Sequence, residues 1–238
     1  MSALFIGVGV GPGDPELITL KAARLIGEAD VISYICNEAG QSQAKNIASA
    51  VLGNPQRLQD EIPIFMPMSE DRSIANGIYD QSAVKIQAAL DRNRKVVFLC
   101  EGDPLFFGSF GYLLERLKAA NACLVVPGIS SVQAASSALQ LPLTVLTESF
   151  AVVSGRHSET EIVRTLQQHD SVVIMKAGRA RQKILQALAR ADRTADARYL
   201  EYIGRPEQVI REDIEQLRQE PGPYFSLFVV TRSERGHR

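Results

Sequence analysis

Val96-Val97-Phe98-Leu99-Cys100-Glu101-Gly102-Asp103-Pro104 is the stretch that decides the fold. Five apolar residues without alternation suit a strand covered on both faces, as in a parallel sheet. The Glu-Gly-Asp-Pro that closes the run is a tight turn, and a helical pattern follows over 109–118. Outward from it, Leu4 to Val10, Val31 to Ile35 and Leu124 to Val126 are further short apolar runs, the last closed by Pro127-Gly128. Between them lie three segments with helical spacing: 15–28 through Leu17, Leu20, Ala23 and Leu25; 42–52 through Ala44, Ile47, Ala48 and Val51; and 74–90 through Ile78, Val84, Ile86 and Leu90. Strands alternating with helices at this rhythm predict βαβ units and an open parallel sheet.

Past residue 127 the proportions change. Strands are expected at 150–154, 172–175, 198–202 and 224–231, and helices at 130–139, 159–168, 179–190 and 206–219. The last apolar run should lie inside a sheet. This organisation predicts two α/β domains, 1–127 and 128–238, with the boundary near Pro127.

Composition narrows the function. With 26 Lys and Arg against 27 Asp and Glu, the net charge of −1 argues against a nucleic-acid binder. No run approaches the roughly 18 apolar residues of a membrane helix. The opening residues, from Ser2 to Gly9, lack a basic start and read as a first strand rather than a secretion signal. A cytoplasmic location is expected. Cys36, Cys100 and Cys123 are odd in number and show no ligand spacing, and His157, His169 and His237 are scattered, so no metal site is expected.

Three turns carry the chemistry. Gly7-Val8-Gly9-Val10-Gly11-Pro12-Gly13-Asp14-Pro15 invites a dinucleotide-binding reading, which fails on register. The pattern G-x-G-x-x-G needs glycine at Pro12 when started at Gly7, and at Asp14 when started at Gly9. Asp30 sits before the second strand rather than at its end. The segment instead reads as a strand-to-helix turn with Asp14 as cap and Pro15 in the first helical turn. In the second turn Asp103, fixed between glycine and proline at a strand's carboxyl end, is placed either to meet a ligand or to cap the next helix. In the third, Pro127-Gly128-Ile129-Ser130-Ser131, two hydroxyls stand at a helix start, where they can bond a ligand or simply cap.

Together these turns resemble the tetrapyrrole methylases. The match runs from Gly7 to Thr19, through Gly102-Asp103-Pro104 and Pro127-Gly128-Ile129-Ser130-Ser131, to Val173-Ile174-Met175 and Gly204-Arg205-Pro206-Glu207-Gln208. Gly40-Gln41-Ser42-Gln43-Ala44 and the insert-like stretch from Ile62 to Met68 resemble the branch acting at C20 of precorrin-2. The resemblance implies two unlike α/β domains, not a Rossmann dinucleotide fold, with S-adenosylmethionine in the cleft between them and S-adenosylhomocysteine as product. It implies that Pro12, Glu101, Gly102, Asp103, Phe106, Ser130, Ser131 and Met175 line the donor site, joined by Tyr202 and Ser226. It also implies a homodimer.

Methyl transfer from a sulfonium to an electron-rich carbon asks mainly for alignment. Asp103 is the candidate for proton removal. Because the substrate carries many carboxylates, Arg72, Arg156, Arg179 and Arg205, near loops or strand ends, are candidate clamps. The rivals are methylation of another tetrapyrrole carbon or of a protein, as in diphthamide synthesis, a nicotinamide dehydrogenase, and a tetrapyrrole carrier without enzymatic activity.

Overall fold

The computed structural model describes residues 3–52, 58–67, 69 and 71–232; Ser2, Met68 and His237 lie outside these described residues. The chain divides into two compact units, Met1–Ser131 and Val132–Arg238.

Among the described residues the first unit holds five parallel strands, β1 (Leu4–Gly9), β2 (Val31–Cys36), β3 (Asp60–Phe65), β4 (Lys95–Cys100) and β5 (Cys123–Val126), in the order β3-β2-β4-β1-β5. A Rossmann sheet runs 3-2-1-4-5-6, so the topology parts from it where β4 lies between β2 and β1. Both faces are covered. On β4, Val97 and Leu99 pack with Ile6 and Val8 against α1 (Leu20–Gly27) and α2 (Gln43–Ile47). Val96, Phe98 and Cys100 pack with Phe5 against α3 (Arg72–Leu90) and α4 (Phe110–Leu117). That alternation onto two apolar faces is why the run 96–100 shows no polar residue.

Three local expectations change. Residues 15–28 are not one helix: Asp14 accepts a hydrogen bond from the Glu16 N–H at 2.9 Å and caps a single 3-10 turn, Pro15–Leu17. Thr19 then caps α1, so the buried face is Ala22, Leu25 and Ile26, and Leu20 is 92% exposed. On α3, Val84 faces out at 70% exposure while Tyr79, Ala83, Ile86 and Leu90 face in. The insert-like stretch begins with β3 itself, at the sheet edge where Pro63 is tolerated.

The second unit begins with α5 continuing from Ser131 (Ser131–Leu139), followed by β6 (Phe150–Ser154), α6 (Glu159–Gln168), β7 (Ser171–Met175), α7 (Arg181–Arg190), β8 (Ala197–Glu201), β9 (Val209–Arg211) and β10 (Ser226–Thr231). The sheet order is β6-β7-β10-β8-β9. Only β6 and β7 are parallel; β10 runs antiparallel to both β7 and β8, in the middle of the sheet and buried throughout. The helix expected at 206–219 is absent. Val209 and Ile210, β-branched, pair instead with β8 as an antiparallel edge strand, and Asp213 turns the chain by accepting from the Glu215 N–H. α6 starts as expected, with Ser158 and Glu161 exchanging backbone bonds in a capping box.

Candidate functional site

In the first sheet β4, β1 and β5 are neighbours, so the turns leaving their carboxyl ends lie side by side. They meet backbone to backbone. A Cβ on Gly9 would stand 2.5 Å from the Gly102 carbonyl oxygen and from the Gly128 Cα, and one on Gly128 would meet that same oxygen and stand 2.7 Å from the Gly9 Cα. Real side chains never approach so closely, so all three turns depend on these glycines. Gly102 (φ +64) donates its N–H to the Gly11 carbonyl at 2.8 Å. Asp103 closes the arrangement: one carboxylate oxygen accepts from the Leu105 N–H at 2.9 Å, the other from the Gly128 N–H at 3.1 Å. It therefore ties the second turn to the third and does not cap α4, whose start at Ser109 has no side-chain cap. Because Gly128 is wedged against Gly9 and Gly102, the turn carrying Ser130 and Ser131 belongs with the first unit. The sequence pattern alone had placed it with the second.

Pro12 and Ser130 are buried, Gly102, Asp103, Phe106 and Ser131 half-buried and Glu101 exposed, all on these turns. The stretches 9–17, 101–109 and 127–131 contain Asp14, Glu16, Glu101 and Asp103 and no Lys or Arg. Carboxylates and carbonyl oxygens without a competing cation fit a ligand that is itself positively charged.

The second sheet gathers the remaining candidates on one edge. Ser226 pairs with Glu201, Leu227 with Met175, and the Tyr202 N–H donates to the Phe225 carbonyl at 2.8 Å, so Met175, Tyr202 and Ser226 share that edge. Ser226 donates its hydroxyl to the Pro223 carbonyl at 2.8 Å. Lys176 (φ +55) and Tyr202 (φ +51) occupy the left-handed region, a conformation that bulky residues keep only where surrounding contacts enforce it. Arg156, Arg179 and Arg205 follow β6, β7 and β8 on this edge. The first two are exposed, and the Arg205 guanidinium lies 3.9 Å from the Phe225 ring centroid. Arg72 is not with them: it belongs to the first unit, donating to the Tyr112 hydroxyl at 2.8 Å and lying over its ring.

Two buried arginines escape a reading by pattern, since nothing in the repeat of α7 or in the turn after it distinguishes a buried guanidinium from a solvated one. Arg181, 7% exposed, donates to the Tyr199 hydroxyl at 2.5 Å and to Glu201 at 2.9 Å. Burial holds the Tyr199 phenol above its ordinary value, against the opposing pull of its bonds with Ser226 and Arg181. A Cβ on Gly222 would run into the Arg181 guanidinium, so the loop before β10 is moulded on this side chain. Arg193, 6% exposed, donates to the Leu166, His169 and Asp170 carbonyls and pairs with Asp196, closing the carboxyl end of α6. Among the described residues no cluster of three or more His, Cys, Asp or Glu is placed to hold a metal, and no helix is long and apolar enough to cross a membrane.

Two unlike α/β sheets, the first carrying these three turns without a dinucleotide register, fit one class, the tetrapyrrole methylases. The chain belongs to the tetrapyrrole (corrin/porphyrin) methylases, whose family profile matches residues 4–218. It is 34% identical to a precorrin-2 C(20)-methyltransferase from Sinorhizobium sp., over 94% of each chain. It is 35% identical to the cobalamin biosynthesis protein CobIJ of Mycobacterium tuberculosis over 96% of its own length, yet spans only 46% of that protein, about half. In structure it resembles the uroporphyrin III C-methyl transferase of Thermus thermophilus, with TM-score 0.68, 25% identity, and coverage of 96% of this chain and 97% of that one.

Proposed function

We propose that this chain transfers a methyl group from S-adenosylmethionine to C20 of precorrin-2 on the route to cobalamin. The observation that carries the reading is the near full-length likeness to the Sinorhizobium methyltransferase named for that reaction. The charge of the two edges supports it. The first, acidic and free of Lys and Arg in its turns, suits a sulfonium; the second, with Arg156, Arg179 and Arg205, suits a substrate rich in carboxylates. Arg72, on its Tyr112 stack, is a fourth candidate clamp.

When bound, S-adenosylmethionine supplies the methyl group, the electron pair of the broken bond staying on sulfur. The work of the chain is alignment, which can supply about 7–11 kcal/mol. Asp103 is suited to a part in this: each of its oxygens already accepts one N–H, which fixes the carboxylate and leaves further lone pairs to meet a ligand or to take the proton leaving C20. Met175, Tyr202 and Ser226 are the proposed donor contacts from the second unit. The same reading includes a homodimer working in the cytoplasm.

The test is incubation with methyl-labelled S-adenosylmethionine and precorrin-2, with and without cobalt, followed by NMR of the product. Label at C20 is expected. Label on another ring carbon overturns the position, and a protein that neither transfers label nor binds S-adenosylhomocysteine in calorimetry overturns the reading altogether. In the same calorimetry, run with S-adenosylmethionine, Met175→Arg should weaken binding by roughly tenfold or more, because it brings a cation to a site for a cationic donor.

A further inference from the structure

The turn after β4 displays two large apolar side chains outward, Leu105 at 58% and Phe107 at 43% exposure. It is not a loose turn. Asp103 holds the Leu105 N–H, and a Cβ on Gly108 would stand 2.6 Å from the Pro104 carbonyl oxygen, so the chain closes tightly on itself just beyond Phe107. Phe107 itself sits at φ +55, a costly conformation for an aromatic residue. A fixed turn that spends backbone strain to show apolar surface is not serving the core, and such strain gathers at ligand sites.

The inward neighbour fixes what that surface meets. Phe106, half-buried and by the resemblance a donor contact, packs edge-on against the Phe107 ring with centroids 5.1 Å apart and planes at 78°. The accepting carbon must come within about 3–3.5 Å of the donated methyl, so the substrate has to lie against the side chains next outward from the donor. On this turn those are Phe107 and Leu105. The turn carries Glu101 and Asp103 and no cation, so it would repel the substrate's peripheral carboxylates and can accept only the apolar face of its ring.

Resting on the methylase reading above, we propose that Phe107, with Leu105 beside it, is the platform on which the face of the tetrapyrrole lies, and thus a specificity-determining contact. Asparagine tolerates the left-handed region without an aromatic ring, so it separates the ring from the backbone that carries it. Phe107→Asn should keep the thermal midpoint and the S-adenosylhomocysteine affinity of the parent while raising KM for precorrin-2 about tenfold, as loss of one buried ring implies. Phe107→Tyr should restore KM. Leu105→Ser, at a site with no such strain, should raise KM about threefold and decides the matter if Phe107→Asn does not fold. A parent that binds S-adenosylhomocysteine, with both variants leaving KM unchanged, overturns the platform and leaves the methylase reading standing. Variants that shift only the monomer–dimer equilibrium in sedimentation assign the surface to a second copy and likewise overturn it. A parent that binds no S-adenosylhomocysteine breaks the methylase reading instead.

Discussion

The two sheets end in loops that share close backbone contacts at glycine but differ in what is added to them. At the first edge order comes from leaving side chains out: Gly9 and Gly128 let their turns close on the Gly102 carbonyl, backbone to backbone. At the second such contacts recur, a Cβ on Gly178 standing 2.2 Å from the Pro223 carbonyl oxygen, but a buried side chain is added to them. There β10 runs against its neighbours, so the loop entering it, residues 221–225, is wrapped on the buried Arg181 and on Gly178. An edge built from backbone contact has no slack, because a carbonyl cannot move without its strand. An edge built on a long side chain can adjust. The difference predicts an all-or-none response where a glycine faces backbone, as at Gly128, and a graded, rescuable one where it faces Arg181, as at Gly222.

The largest effect should therefore come from Gly128→Ala. One methyl group would be driven between the Gly102 carbonyl and the Gly9 Cα, and its only relief is to part the strand ends. Overpacking a tight site typically costs about 1–3 kcal/mol and sometimes more. With backbone on both sides the loss should reach the top of that range, about 3 kcal/mol in chemical denaturation, together with loss of S-adenosylhomocysteine binding. A Gly128→Ala protein that kept its stability would show that the turns have room, and the contrast between the edges would fail.

A smaller and reversible effect is expected at Gly222. Alanine there collides with the Arg181 guanidinium and stands 2.7 Å from the Tyr199 hydroxyl oxygen. The strain falls on the end of a flexible side chain, so Gly222→Ala should cost about 1–2 kcal/mol. Arg181→Ala removes the nearer obstacle while stranding Glu201, and in that background Gly222→Ala should cost less, only the approach to the Tyr199 hydroxyl remaining. The double-mutant cycle then shows a coupling of about 1–2 kcal/mol. Strict additivity would mean that the loop is not moulded on Arg181.

The same contrast explains what could be read in advance. The first unit was legible because both faces of its sheet are apolar, and uninterrupted runs such as 96–100 announce themselves. Its glycines announced a close approach, though which backbones meet follows only from β1 lying between β4 and β5, which no local pattern encodes. Leu20 and Val84 misled because an apolar residue at helical spacing need not face inward, and the break at Thr19 shifted the register of α1. In the second unit the stretch 206–219 misled because its polar residues suit a helix, while Val209 and Ile210 were needed to complete β8, a demand from outside the segment. The candidate arginines were found by their position at strand ends. Arg181 was missed because its importance lies in burial, which has no signature in a repeat of period 3.6, and Arg193 because it sits in the turn after α7, where no repeat exists to read.

Away from these loops, the amino ends of the two sheets are alike, and the smallest prediction tests that likeness. Asp30 accepts the Lys95 N–H at 2.8 Å and so joins β2 to β4; Asp170 accepts the Ser149 N–H and hydroxyl, each at 2.9 Å, and joins β7 to β6. Those two bonds from Ser149, the backbone one first, hold the Asp170 carboxyl below its ordinary value. A carboxylate depressed in the folded state stabilises above its unfolded pKa of about 3.9, and that contribution is lost as pH falls through the lower folded value. Asp170→Asn should therefore lower the thermal midpoint by about 1–2 °C near pH 7, and the gap to the parent should close below about pH 4. Ser149→Ala, which keeps the backbone donor, should reproduce only part of this. A gap that persisted unchanged into acid would mean that the charge on Asp170 contributes nothing, and that β6 is held to β7 by its ladder alone.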